Sequence, residues 1–355
     1  MADDQAVLVV DETGDVKKGT STVGVQRQYT STAGRIETAR VAVHMVYAGQ
    51  RGHVAVDRGL CIPRSWTSDP DRCCAAGLRD ETRFATKSEL AARMVTRFLD
   101  AGHRAPGLRA TRSTVATRSC EPCWRCAPSA TCSRWPAHTR HHRCQEVPCG
   151  QPRQEGAKAV LAEAARRGRG KGAKGHRFYD WAVIDLTDAG PGSRQLLIRR
   201  NRSTGELAYY RCYSPEPVPL TTLVRVAGSR WRVEEFFQSG KRLAALDEHQ
   251  VRRYASWPRW VTLAVLAHAF LAVVRADEHA RSPTPDGLIQ LTCNEIQRLF
   301  ITLVVRPAPD IAHRLSWSDW RRCQDQPLPA PYPFRHEGQD LRQRRGGVGS
   351  DDCCS

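Results

Sequence analysis

Acidic residues are scarce in this chain, and over one long stretch aspartate vanishes. Asp and Glu number 37 against 54 Lys and Arg in 355 residues, a formal net charge of +17. Such an excess disfavours cationic partners and suits polyanions, because each neutralised phosphate releases condensed counterions. A basic but uninvolved surface is the bland alternative. Long apolar runs are also missing. The longest, Trp260–Val274, falls short of a bilayer span and contains His268, so it reads as a buried helix and not as a membrane crossing. No secretory leader is visible, since the apolar run Ala6–Val10 is short and follows two aspartates. These absences predict a cytoplasmic protein with no membrane partner, and the length allows two or three domains.

The local deficit lies between Gly107 and Gly150. Leu108, Val115 and Val147 are the only aliphatic residues there larger than Ala, and Phe and Tyr are absent. Seven arginines face two glutamates, and no Asp occurs from Gly107 until Asp180. A segment this poor in apolar side chains buries too little surface to offset its ordering entropy, which predicts disorder. Six of the 14 cysteines lie between Cys120 and Cys149.

On either side the patterning is ordinary. Ala6–Asp11 is a short apolar strand ending in an acid. Thr22–Tyr29 and Val41–Tyr47 alternate as half-buried strands do, and His53–Arg58 could add another. Thr86-Lys-Ser-Glu89 has the form of a capping box, followed by Leu90, Met94, Val95, Phe98 and Leu99 at helical spacing. Trp181–Leu186, Gln195–Arg199 and Glu206–Tyr213 read as strands, the last two joined by the turn Ser203-Thr-Gly205. Leu220–Leu243 and Trp257–Glu278 read as helices, with a shorter one near Asn294–Leu303. The expected divisions fall at residues 1–106, 107–171, 172–219, 220–320 and 321–355, the last a disordered tail rich in Pro, Arg and Gly.

Two places carry chemistry. Asp11-Glu12-Thr13-Gly14 ends an apolar strand and is followed by Lys17 and Lys18. A carboxylate at a strand end is held rigidly at a sheet's rim, where a hard cation can bind with water and phosphate completing its shell. Turn chemistry explains the same Asp and Gly more simply. The second place is Arg230-Trp-Arg-Val-Glu234-Glu-Phe-Phe-Gln-Ser-Gly-Lys241. At helical spacing Arg230, Glu234 and Lys241 share one face, opposite Val233, Phe236 and Phe237. A carboxylate between two cations suits a metal ligand beside a phosphate; a solvated face with an ion pair is the rival.

Several segments in order, VLVVDETGDVKKGT (7–20), GAKGHRFYDWAVIDL (172–186), LLIRRNRSTGELAYYRCYSP (196–215) and RWRVEEFFQSGK (230–241), resemble bacterial insertion-sequence transposases of the Asp-Asp-Glu type. The likeness runs with interruptions from about Val7 to Trp320. It implies an α/β fold: a ribonuclease-H-like mixed sheet with flanking helices and a β-rich insertion, here interrupted by the disordered segment. It implies Asp11 as the first catalytic aspartate, Glu234 as the catalytic glutamate, and both as ligands of two Mg²⁺ ions. Those ions would support in-line strand cleavage and transfer. Arg230 and Lys241 would contact terminal phosphates, with Lys17 and Lys18 as further DNA-binding candidates. The partner implied is double-stranded DNA, both element ends and target, and a homodimer is to be considered. The family's signature tyrosine falls on Ala227. A helical end-recognition domain that members carry ahead of the first strand would be mostly absent.

The family's second aspartate lies in a motif like WVAGDEVYG, expected just past Pro106. The chain reads GLRATRSTVATRSCEP there. A coding string for WVAGDEVYGGNPKLRA, read after loss of one base, yields Gly107–Pro122 at every position. A string for LLEVRAIGYVLAVACTH likewise yields Cys123–Thr139. We therefore expect a reading-frame slip that splits the aspartate codon between Ala110 and Thr111 and leaves the product catalytically defective. Alternatives from other classes are a noncatalytic DNA-binding or zinc-stabilised remnant, and a decayed frame whose product does not fold. Cys120, Cys123, Cys126, Cys132, His138, His141, His142 and Cys144 have the look of a zinc site, but slipped GC-rich codons produce the same residues without design. Trp257 and Trp260 read as core and not as a DNA stacking platform. Arg199-Arg200-Asn201-Arg202 is a basic strand end equally consistent with DNA backbone contact and with none. Asp180 and Asp185 are poor replacements for the missing carboxylate.

Overall fold

Ala6–Val10 are all buried, which a strand achieves only when both faces of its sheet are covered. The computed structural model describes residues 3–111, 114, 130–135, 178–186, 192–281, 287–305 and 311–324, apart from the side chains of 130–135, His313 and Gln324. In it β1 (Val7–Val16) lies inside a sheet. Its alternation sends Val7 and Val9 into one apolar cluster and Leu8 and Val10 into another.

The strands that follow are β2 (Gln26–Thr30), β3 (Arg35–Ala48) and β4 (His53–Leu60). β3 is twice the expected length and pairs antiparallel with β1, β2 and β4. Val23 and Val25 are buried ahead of β2, so the alternation read from Thr22 reflects core contact more than strand pairing. Two short helices, α1 (Arg64–Thr67) and α2 (Pro70–Ala75), have no counterpart in the sequence pattern. They are anchored by Trp66, which is buried and donates its indole N–H to the Val25 carbonyl.

α3 (Lys87–Asp100) opens with the expected capping box: Thr86 Oγ1 accepts from the Glu89 N–H, and Glu89 Oε2 accepts from the Thr86 N–H at 2.7 Å. Its Met94 and Val95 cover the Leu8/Val10 face of the sheet.

Two strands lie within the stretch expected to lack structure, β5 (Gly107–Ala110) and β6 (Ala130–Trp135). β5 runs parallel to β1, with Val10 opposite Ala110, and β6 runs parallel to β5. Their own sequence carries no strand pattern; β5 forms because β1 and the helices beside it offer an unfilled slot. Position 107 illustrates the fit, since a Cβ there would meet Val226 Cγ2 at 2.8 Å. Apart from Thr114, the remainder of 112–177, with every cysteine and histidine of the zinc-like cluster except Cys132, lies outside the described residues.

β7 (Tyr179–Asp185), β8 (Ser193–Asn201) and β9 (Leu207–Ser214) form an antiparallel set joined to β6. Nine strands are present among the described residues, in the order β2-β3-β1-β5-β6-β9-β8-β7 with β4 on β3. The sheet is mixed and flanked by helices, as the ribonuclease-H-like reading predicts.

The helix expected over 220–243 is two helices, α4 (Leu220–Gly228) and α5 (Trp231–Ala244). Ser229 makes the break by hydrogen-bonding its hydroxyl to the Val226 carbonyl at 2.7 Å. α6 (Ser256–Arg281) follows. Leu223, Val226, Val233, Phe236, Trp257 and Val261 pack on the Val7/Val9 face, giving a helix–sheet–helix sandwich.

The chain divides into two compact units, 1–280 and 281–355. In the second, α7 (Cys293–Phe300) is capped by Thr292, and α8 (Ile311–Gln324) returns Arg321 to the buried Glu295. The region beyond 324 is outside the described residues.

Candidate active site

Asp11 sits where β1 loses a neighbour. β5 pairs with Val7–Val10 only, and its last link is the Thr111 N–H to the Val10 carbonyl at 3.3 Å. β1 continues to Val16 against β3. The carboxyl end of a parallel pair opens a crevice there, and parity turns Asp11 toward the helices, as it does Val7 and Val9.

The carboxylate is 6% exposed. Its Oδ1 accepts from the Glu12 N–H at 2.8 Å and from Thr111 Oγ1 at 2.8 Å. Burial raises its pKa, against the opposing pull of those two hydrogen bonds and of the Arg230 and Arg109 guanidinium groups. Oδ2 faces Arg230 Nη2 at 3.7 Å.

Arg230 is the N-cap residue of α5, and its guanidinium also holds Glu234 Oε1 at 3.0 Å, one turn along. Asp11 and Glu234, far apart in the chain, thus share one cation. Lys241 lies two turns past Glu234, with its ammonium 3.4 Å from the Gly14 carbonyl and 4.0 Å from Asp247. Burial lowers its pKa, while Asp247, Asp15 and Glu234 oppose that shift.

The other sequence candidates separate. Lys18 is exposed. Lys17 is turned away from solvent: it is 7% exposed, donates to the His249 carbonyl at 2.6 Å and pairs with Asp15 at 2.8 Å. A lysine adjoining a strand is carried inward or outward by parity, and here parity carries it in. Ala227, where the resemblance would put a signature tyrosine, is buried in α4. Asp180 is committed to Arg200 and Arg202 on the distant hairpin.

Sequence reasoning missed the network that braces the far end of β1. Asp15 bridges Lys17 and Arg40, and Arg40 meets His249 Nδ1 at 3.0 Å. Gly14 is also structural, because a Cβ there would overlap the Thr30 hydroxyl. Thr111 carried a signal only through the expected frame slip, which puts it beside the missing aspartate's codon; nothing in its own chemistry marked it.

Residues 1–110 match the DDE superfamily endonuclease family. The match contains Asp11 and stops one residue short of Thr111. It supports a nuclease- or transposase-type domain over that part of the chain. No curated protein matches the chain.

A pair of divalent ions needs more acid than this corner supplies. Asp11 and Glu234 give two carboxylates with Arg230 between them, and the third side chain, Thr111, donates to Asp11 where a metal would accept its lone pair. Among the described residues no group of three His, Cys, Asp or Glu side chains could hold a metal ion. The described residues at this corner do not fit a two-ion centre.

Proposed function

We propose that this chain is the core of a DDE-type transposase that engages insertion-sequence DNA but, in this sequence, is defective in strand cleavage and transfer. The observation that carries the reading is the shared cation: Asp11 and Glu234 meet at Arg230, and Thr111 occupies the third corner. The family match over residues 1–110 supports the nuclease class and, through it, DNA as substrate. The net charge of +17 supports the same partner. An intact member would use Mg²⁺ at three carboxylates; the described residues of this site offer two, Asp11 and Glu234. Arg230, Lys241 and Lys18 are the side chains we assign to phosphate contact, with Lys17 in a bracing role.

The test is nicking of supercoiled DNA in Mg²⁺. The unmodified chain is expected to leave the plasmid intact, Thr111→Asp to nick it, and Thr111→Asp with Asp11→Ala to lose that gain. Nicking by the unmodified chain that vanishes in Asp11→Ala would overturn the defect. The frame slip is tested separately by sequencing the locus on both strands, and peptides covering Gly107–Thr139 from an unslipped gene would end it.

A further inference from the structure

Trp231 is the most exposed tryptophan among the described residues, and its ring is free. Trp66, Trp181 and Trp257 are buried. Trp260 donates its indole N–H to the Ala245 carbonyl at 2.8 Å, and Trp317 and Trp320 meet edge to face with centroids 5.2 Å apart. Trp231 is 56% exposed, and its side chain makes no hydrogen bond, ring contact or cation contact among the described residues. A single exposed apolar side chain is ordinary in itself. Its placement is what carries meaning.

Trp231 opens α5 one residue after Arg230, whose guanidinium holds both Asp11 and Glu234. Glu234 lies three residues on, so the indole stands at the rim of the same corner. Gln238 and Arg242 follow Trp231 along the helix at seven and eleven residues, and all three are exposed. That strip carries one ring, one amide and one guanidinium, without a second apolar side chain. A protein partner would need a cluster of apolar anchors, which the strip does not offer. Glu234 and Glu235 are each held by an arginine, Arg230 and Arg232, so their charge is offset where a phosphate would approach. A lone ring between cations suits a nucleotide, with the base stacked on the ring and the phosphate at a guanidinium. Bases inside a duplex already stack on their neighbours, so only an unpaired base can present its face to a ring fixed on a helix.

We infer that Trp231 stacks on an unpaired base next to the phosphate held by Arg230, which makes the chain selective for DNA ends with an unpaired nucleotide over blunt ends. The inference rests on the reading of the Asp11–Glu234 corner as a DNA site, and it needs no cleavage to be tested.

Fluorescence anisotropy on the full chain at fixed salt compares three short duplexes of the same sequence. One is blunt, one carries an unpaired 2-aminopurine nucleotide at its 3′ ends, and one carries it at its 5′ ends. One of the two overhanging duplexes is expected to bind about tenfold tighter than the blunt one, with its 2-aminopurine fluorescence quenched by stacking. Trp231→Ala should lose both the preference and the quenching while keeping the blunt affinity within about twofold, and Trp231→Phe should keep both in weaker form. Blunt binding also reports that each variant is folded; should Trp231→Ala lose it, Trp231→Gln repeats the test. Equal affinity for all three duplexes with the probe unquenched overturns the inference and leaves the DNA site standing. A preference that survives Trp231→Ala overturns it as well. Failure of the unmodified chain to bind any of the duplexes overturns the inference and the DNA reading together.

Discussion

Thr111 Oγ1 donates to Asp11 Oδ1 across 2.8 Å, joining residues 100 positions apart at the open end of two parallel strands. The hydroxyl satisfies a buried carboxylate that would otherwise be left with the Glu12 N–H and a distant guanidinium. It also occupies the oxygen that a cation would seek. The same contact therefore supports the fold and opposes metal uptake.

Thr111→Asp should invert that balance. Two carboxylates at this distance repel in a site with little water, so the variant should melt below the unmodified chain when divalent cations are chelated. Millimolar Mn²⁺ should restore it, since a ligand that binds only the folded state stabilises by mass action. Thr111→Val removes a hydrogen bond to a charged group, costing about 1.5–3 kcal/mol, and should show no response to Mn²⁺. Equal Mn²⁺ stabilisation of the unmodified chain and of Thr111→Asp would show that the corner holds metal as it stands.

Asp11 itself should be a cost to stability at neutral pH. Burial raises its pKa, so the folded state holds the proton more tightly than the unfolded state. Its contribution is greatest in acid and is lost as pH rises from the ordinary carboxylate range through the raised folded value. Asp11→Asn keeps the shape, removes the buried charge and should stabilise the chain by about 1 kcal/mol at pH 7. Urea denaturation at pH 7 checks this, and a large destabilisation would mean that the hydrogen bonds and Arg230 outweigh burial.

Much of this arrangement was legible in the sequence because it is locally encoded. The apolar run Val7–Val10 fixed a buried strand, Thr86 and Glu89 fixed a helix start, and the spacing of Arg230, Glu234 and Lys241 placed them on one face. β5 was illegible for a physical reason. Gly107-Leu-Arg-Ala110 has no strand pattern and takes its conformation from β1, to which it is pinned by four register pairs. The break between α4 and α5 depends on one serine hydroxyl within a stretch that has helical periodicity throughout. The inward turn of Lys17 depends on parity set by long-range pairing. None of these is visible in a window of a dozen residues.

Gly14 is expected to tolerate no side chain. A Cβ there would overlap Thr30 Oγ1 and lie 2.8 Å from Thr30 Cβ. A rotamer change moves the hydroxyl away, but the Thr30 Cβ is fixed by its strand. Gly14→Ala should cost about 1–3 kcal/mol through overpacking. Adding Thr30→Gly should recover most of the loss, less the ~0.5–1 kcal/mol that glycine costs in a strand. A double-mutant cycle in urea measures the coupling, and simple additivity of the two changes would refute the close approach.

Four buried histidines should make the fold sensitive to mild acid. Burial is the largest cause in each case, holding His44, His249 and His268 at about 4 and His53 at about 3. Cations nearby add to it: Arg58 and Lys241 at His44, Arg232 and Arg275 at His53, Arg40 and Lys17 at His249, and Arg275 at His268. Glu235, 3.8 Å from His53, is the one carboxylate in ion-pair contact with these rings among the described residues. Each folded pKa lies below the unfolded value near 6.5, so the unfolded state binds more protons between them. Stability is fully present above about pH 6.5 and is lost as pH falls toward about 4. His44 alone, packed edge-on against Phe237, should contribute a loss of about 3 kcal/mol across that window. Urea midpoints at about pH 7, 5.5 and 4.5 should therefore fall steeply, and His44→Phe should flatten the curve. A midpoint that stays level across that range would mean these rings reach water.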